Sequence, residues 1–226
     1  MSRTARTVLV DVPHHITQRG NYRQPIFFHE EDYAQYLAFI FQYARTYALE
    51  IWAYCLMPNH IHMIAVPHLE TALARTFGIG HMQYTQYIHR RDRQVGHLWQ
   101  GRYYSSPLDE DYLSAAVRYV EMNPVRAQLV KTPEEWPWSS AAPHLQGLRL
   151  PGASYPPDDA LLTWREYLGS AEVMPEVELI RQRTSTGRPI GNEAFVAALN
   201  ERFDQHLTLR PRGRPRKEPE KNVGAN

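Results

Sequence analysis

The sequence has one cysteine, three lysines, no internal repeat and no apolar run of membrane-spanning length. A single cysteine, Cys55, excludes an internal disulfide and a cysteine metal cage; in its apolar surroundings it reads as a buried reduced thiol. The missing apolar run excludes a spanning helix. The start, Met1-Ser-Arg-Thr-Ala-Arg6, lacks an apolar signal core, so the expected compartment is the cytoplasm, with no membrane partner. The scarcity of lysine leaves 22 arginines among 25 basic residues. Arginine suits bidentate phosphate contacts, although a genome biased toward arginine codons gives the same ratio.

A hydrophobic content of 43% and a charged content of 22% over 226 residues fit one well-buried domain with an appendage. The net charge of +1 says nothing of nucleic acid by itself, but its distribution does. Residues 1–147 balance 13 basic against 13 acidic residues, while Arg210-Pro-Arg-Gly-Arg-Pro-Arg-Lys217 holds five positive charges in eight residues. Residues 210–226 have almost no apolar content and are expected to be a disordered basic tail.

The hydrophobic periodicity predicts strands at Val8–Thr17, Pro25–Phe28, Ile51–Met57, His60–Val66 and Tyr103–Pro107. Helices are predicted over Glu30–Tyr47, over Leu69–Arg91 with a weak point at Gly78 and Gly80, and over Asp109–Asn123, with Pro124 as its stop. This order, with no regular βαβ repeat, implies an α+β domain with a mainly antiparallel sheet over residues 1–147. The proline-rich stretch 148–158 reads as a linker, and 159–209 as a small helical C-terminal extension in which Asn192 caps the last helix.

His60-Ile-His62 is the sharpest local signal. Strand residues i and i+2 share a face, so two imidazoles stand side by side and can hold one cation; Ile61 and Met63 then point into the core. Two ordinary strand histidines give the same pattern. On the helix that follows, Leu113, Ala116, Val117 and Val120 form the core stripe, while Tyr112, Tyr119 and Asn123 lie on an adjacent face. If that helix packs beside the histidine strand, a metal, an amide oxygen and a phenol converge. A phenol is a poor nucleophile at neutral pH and becomes useful against a phosphodiester whose charge a metal has neutralised. Tyr112 is the rival nucleophile.

Four ordered motifs, Met57-Pro-Asn-His-Ile-His62, His97-Leu-Trp-Gln-Gly-Arg-Tyr-Tyr104, Tyr119-Val-Glu-Met-Asn-Pro-Val-Arg-Ala127 and Trp136-Pro-Trp-Ser-Ser140, resemble those of the REP-associated tyrosine transposases. These belong to the single-tyrosine HUH transposase superfamily. The stretch His14-His-Ile-Thr-Gln-Arg-Gly-Asn21 also fits, so the resemblance covers roughly residues 8–145. It implies a ferredoxin-like α+β fold and cleavage of single-stranded DNA near an imperfect hairpin. It implies Tyr119 as nucleophile and His60 and His62 as ligands of Mg²⁺ or Mn²⁺, with Asn123 completing the site. Asn is shorter than the Gln some relatives carry there, so its ligation is less direct. The products would be a 3′-hydroxyl and a 5′-phosphotyrosine, without a nucleotide cofactor, in a monomer or homodimer.

Candidate DNA contacts are Arg19 and Arg23 in the first loop, and Arg102, Tyr103 and Tyr104, which combine charge with aromatic faces suited to unpaired bases. In the tail, Arg212, Arg214 and Arg216 surround an AT-hook-like Arg-Gly-Arg-Pro core, suited to narrow minor grooves. Three rival functions remain at this point. They are a domesticated hairpin-binding protein that does not cut, a hydrolase using a histidine-bound water, and an RNA-binding module.

Overall fold

The computed structural model describes residues 8–93, 95–155, 158–170 and 174–203. Four strands, β1 (His14–Arg19), β2 (Leu49–Met57), β3 (His60–Pro67) and β4 (Tyr104–Pro107), form one sheet in the order β2-β3-β1-β4, every pairing antiparallel. Helix α1 (Glu30–Thr46) follows β1 and α2 (Ala72–Asp92) follows β3. The result is the expected α+β, ferredoxin-like arrangement.

Alternation on the strands divides the core in two. Ile16, Leu56, Ile61, Met63 and Ala65 face α1 and α2. Ala53, Cys55, Met57 and Ile64 face the opposite way, toward α3 (Leu113–Glu121). Both helices on the first face are fixed at their ends. One Asp32 oxygen accepts from the backbone N–H groups of Phe28 and His29, capping α1. The other accepts from Arg91 at the end of α2, so that arginine is spent inside the fold. Gly80 does not weaken α2, which runs unbroken. A Cβ there would stand 2.7 Å from Ile40 Cδ1, so the glycine lets α1 and α2 approach.

The expected strand at Pro25–Phe28 is not formed. Ile26 and Phe27 are buried, but both N–H groups turn to Pro58 O, at 2.9 and 3.3 Å; their apolar character reflects burial, not pairing. The helix expected over Asp109–Asn123 is a 3-10 turn, Glu110–Tyr112, followed by α3 and then by the short α4 (Asn123–Arg126). Pro124 sits in the first turn of α4, where its missing N–H costs nothing, so it opens a second helix where a stop was expected.

Each sheet edge is covered over part of its length, which limits open pairing sites. Along β2, Leu56 N–H donates to Trp138 O and Trp136 Nε1 donates to Leu56 O. Along β4, Ile190 N–H donates to Pro107 O and Asp109 N–H to Ile190 O.

After α5 (Ala141–Leu145) come α6 (Asp158–Gly169), α7 (Met174–Thr184) and α8 (Glu193–Phe203). Phe195 N–H donates to Asn192 Oδ1 at 2.8 Å, the expected cap. The stretch read as a linker packs on the body: Leu150 is buried, and buried Tyr155 stacks on Trp52 at 5.2 Å. Trp164, Leu168, Val177 and Ile180 share the core of the α3 face. The tail, residues 210–226, lies outside the described residues. Among the described residues no helix is long and apolar enough to cross a membrane.

One buried carboxylate ties these parts together. Glu121, at the end of α3, accepts from Ser140 Oγ and His144 Nδ1, both at 2.6 Å, and from Trp164 Nε1 at 2.8 Å. Glu121→Ala leaves buried His144 Nδ1 and Trp164 Nε1 without their acceptor and leaves Ser140 Oγ only Tyr54 O, at 3.4 Å. The expected loss is on the order of 3–5 kcal/mol, read as a lower urea midpoint; a shift under about 1 kcal/mol would contradict this role.

Candidate active site

The hairpin joining β2 and β3 turns on Pro58-Asn59, pairing Met57 with His60 and Cys55 with His62. Register places Arg19 opposite His60, and sets Tyr104 and Thr17 in one row with His62. These side chains occupy the face that α3 covers. His15, two residues before Thr17 on β1, is on that face as well.

Tyr119 reaches the same place from α3. Its ring lies edge-on to His62 at 5.8 Å and to His15 at 5.9 Å between centroids, and His60 lies 5.0 Å from His62. Arg126, seven residues on and across the α3–α4 break, sets its guanidinium 4.3 Å from the Tyr119 ring centre and donates to Tyr119 O. Tyr112 lies in the preceding 3-10 turn, and among the described residues no ring contact links it to the histidines.

Burial keeps these imidazoles neutral, the form that ligates metal. His60 is held down to about 4, with Arg19 adding to the effect of burial, and His15 is held to about 3 by burial alone. His62 lies well below the ordinary range, first through burial and then through His15, His60, Arg126 and Arg19. Hydrogen bonds also set the proton on His60. Asn59 Nδ2 donates to Arg23 O at 2.9 Å, which turns its Oδ1 to His60 Nδ1 at 2.6 Å. An amide oxygen only accepts, so Nδ1 carries the proton and His60 Nε2 keeps a bare lone pair.

Among the described residues no three His, Cys, Asp or Glu side chains cluster tightly enough to hold a metal by themselves. Any third protein donor to a cation held by His60 and His62 would be of another type. Asn123 Nδ2 donates to Tyr119 O at 2.9 Å and Val120 O at 3.3 Å, so its oxygen is the atom left to offer. Two neutral imidazoles and an amide oxygen suit a hard divalent cation that keeps water or phosphate in its other positions.

The remaining candidates divide. Arg23 is exposed in a strained turn, Tyr22 and Arg23 having φ of 50° and 62°. Gly20 opens this turn because a Cβ would stand 2.3 Å from Gln24 O. Arg102 and Tyr104 are exposed, but Tyr103 is buried and packs on Phe77 at 5.3 Å. Tyr103 is therefore a core residue, since no base can reach its ring; Trp99 also joins the core cluster. Arg212, Arg214 and Arg216 lie outside the described residues. Sequence reasoning passed over Asn59, His15 and Arg126. All three stand inside the motifs that carry the family resemblance, and Arg126 also lies two helical turns from Tyr119, but nothing local gave any of them a role.

Residues 9–123, just over half of the chain, match the family described as "Transposase IS200 like". The chain belongs to this family. The family match takes in His60, His62, Tyr119 and Asn123 and ends before Arg126. A Haemophilus influenzae protein named as a REP-associated tyrosine transposase is 26% identical over 110 residues, which cover 44% of this chain and 62% of the relative. The chain thus spans under two thirds of the length of that relative. A solved REP-associated tyrosine transposase bound to a REP hairpin superposes with a TM-score of 0.52 at 21% identity, covering 65% of this chain and 86% of that one. At that identity the likeness establishes the fold.

Proposed function

We propose that the chain is a metal-dependent single-stranded DNA endonuclease and strand transferase that cuts beside DNA hairpins through a covalent link to Tyr119. The observation that carries this reading is the packing of the Tyr119 ring against His62, with Arg126 over the ring, all within one chain. The family supports DNA as the substrate class, and the hairpin-bound relative supports a hairpin as the recognised element.

In this mechanism the Tyr119 hydroxyl oxygen attacks the scissile phosphorus. The bond from phosphorus to the 3′ oxygen breaks, and the 5′ phosphate stays on Tyr119. The proton lost by the phenol balances the one gained by the departing 3′ oxygen. One phosphoester replaces another, so a second 3′-hydroxyl can reverse the step without a nucleotide cofactor. A divalent cation, Mg²⁺ or Mn²⁺, bound by His60, His62 and the Asn123 oxygen, would neutralise and orient the phosphate. Arg126 sets a positive charge beside the ring, favouring the negative charge that the phenol oxygen carries once its proton is lost and before its bond to phosphorus is complete. In this reading Arg19, beside His60 in the register, neutralises the incoming strand, and the exposed Arg23, Arg102 and Tyr104 hold unpaired nucleotides. Nucleophile and histidine pair meeting in one chain support cleavage in cis by a monomer.

The test uses hairpin oligonucleotides carrying single-stranded flanks, labelled at either end, with Mn²⁺. The reading predicts a denaturant-resistant protein adduct with the 3′-labelled strand and a free shortened product with the 5′-labelled one. Tight binding without cleavage would mean a hairpin-binding protein. Free 5′-phosphate formed without Tyr119 would mean a hydrolase.

The tail carries a separate proposal, that residues 210–217 grip duplex flanking the hairpin. Each arginine that neutralises a phosphate releases a counterion. Deleting residues 210–226 should therefore flatten the log–log salt dependence of binding by about three units on A·T-rich flanked targets, and leave a minimal hairpin unaffected. An unchanged slope on the long target would reduce the tail to a solubilising end.

A further inference from the structure

Behind His62 runs a buried hydrogen-bonded chain that the proposed chemistry has not used. His62 Nδ1 lies 3.0 Å from His15 Nε2, and His15 Nδ1 lies 2.8 Å from Thr184 Oγ1. His15 is fully buried, and His62 and Thr184 are 6% and 8% exposed. Thr184 ends α7, some sixty residues beyond the family match, in the helical extension.

Between two neutral imidazoles in contact lies one proton, and its position decides what His62 can do. If His15 Nε2 carries it, the proton of His62 moves to Nε2, and that nitrogen cannot bind a cation. If His62 Nδ1 carries it, His62 Nε2 is bare, and His15 must hold its own proton on Nδ1. That proton points at Thr184. A hydroxyl can accept it; an apolar side chain would leave a buried N–H without a partner, which native structures avoid more strictly than an unused acceptor.

We propose that Thr184 is a positioning residue for the candidate metal site: as terminal acceptor of the chain His62 Nδ1–H, His15 Nδ1–H, it holds His62 Nε2 as a bare ligand. The inference rests on the metal reading above. It also makes the extension part of the site, so that the catalytic unit does not end at residue 147.

The direct test is Mn²⁺ affinity of the full chain, measured by loss of the free-ion electron paramagnetic resonance signal, without DNA. Thr184→Ser keeps the hydroxyl and should bind within about twofold of the unsubstituted protein. Thr184→Val keeps the shape and should bind on the order of tenfold more weakly, the low end of what losing a ligand's outer partner costs, since His15 stands between Thr184 and His62. A Thr184→Val protein that binds Mn²⁺ as well as Thr184→Ser would overturn the proposal while leaving the metal reading standing. If the unsubstituted protein bound Mn²⁺ no better than a His60→Ala variant, both would fall. A second readout needs no variant: imidazole ¹⁵N chemical shifts of the Mg²⁺-loaded protein should place the His15 proton on Nδ1. A proton on His15 Nε2 would overturn the relay.

Discussion

A Tyr119→Phe protein should fold, bind hairpin DNA and form no covalent adduct. The substitution removes one oxygen and keeps the ring that packs on His15 and His62 and lies under Arg126. Its stability should therefore change by under about 1 kcal/mol, as for a substitution that opens no cavity and strands no buried partner. Loss of the nucleophile, by contrast, should lower strand cleavage on the order of 10⁴-fold or more, because the remaining groups only bind and polarise the phosphate. Tyr112→Phe should cleave normally. If Tyr112→Phe lost the adduct and Tyr119→Phe kept it, the nucleophile would have to be reassigned.

His60→Ala and His62→Ala should each lower Mn²⁺-dependent cleavage at least about 100-fold, at or beyond the upper end of what losing an outer partner of a metal ligand costs. The two should differ in kind. His60→Ala frees Asn59 Oδ1, which stays bonded to Arg23 through its other end, so the fold should tolerate it. His62→Ala also strands buried His15 Nε2, so it should lower stability as well, by about 1–3 kcal/mol. Asn123→Ala should cost less activity than either, since water can replace an amide oxygen. Initial rates across a Mn²⁺ titration would separate these effects, and full cleavage in EDTA would sink the metal argument.

Much of this site was legible because strand and helix periodicity are local. Alternation put His60 and His62 on one face, and the stripe of Ala116, Val117 and Val120 turned Tyr119 toward it. What escaped depended on contacts made far along the chain. His15 looks like one strand histidine among others until Thr184, 169 residues on, bonds to it. Glu121 looks like a surface helix residue until Ser140, His144 and Trp164 close over it. Pro124 follows an asparagine as a helix stop would, but a new helix begins there with the proline in its first turn. Tyr103 and Tyr104 are neighbours of like chemistry. Strand alternation buries the first and exposes the second, and the sequence alone did not say which face was covered.

The central claim, that Tyr119 becomes bonded to the 5′ phosphate, is open to one direct measurement. The Mn²⁺-dependent product on a hairpin oligonucleotide is digested with nuclease and trypsin, and the modified peptide is sequenced by mass spectrometry. Trypsin cuts after Arg118 and Arg126, so Tyr119 falls in the peptide 119–126 and Tyr112 in 103–118. The account predicts a nucleotide mass on the tyrosine of 119–126 and none on 103–118. A nucleotide on Tyr112, or cleaved DNA with no modified tyrosine, would contradict it.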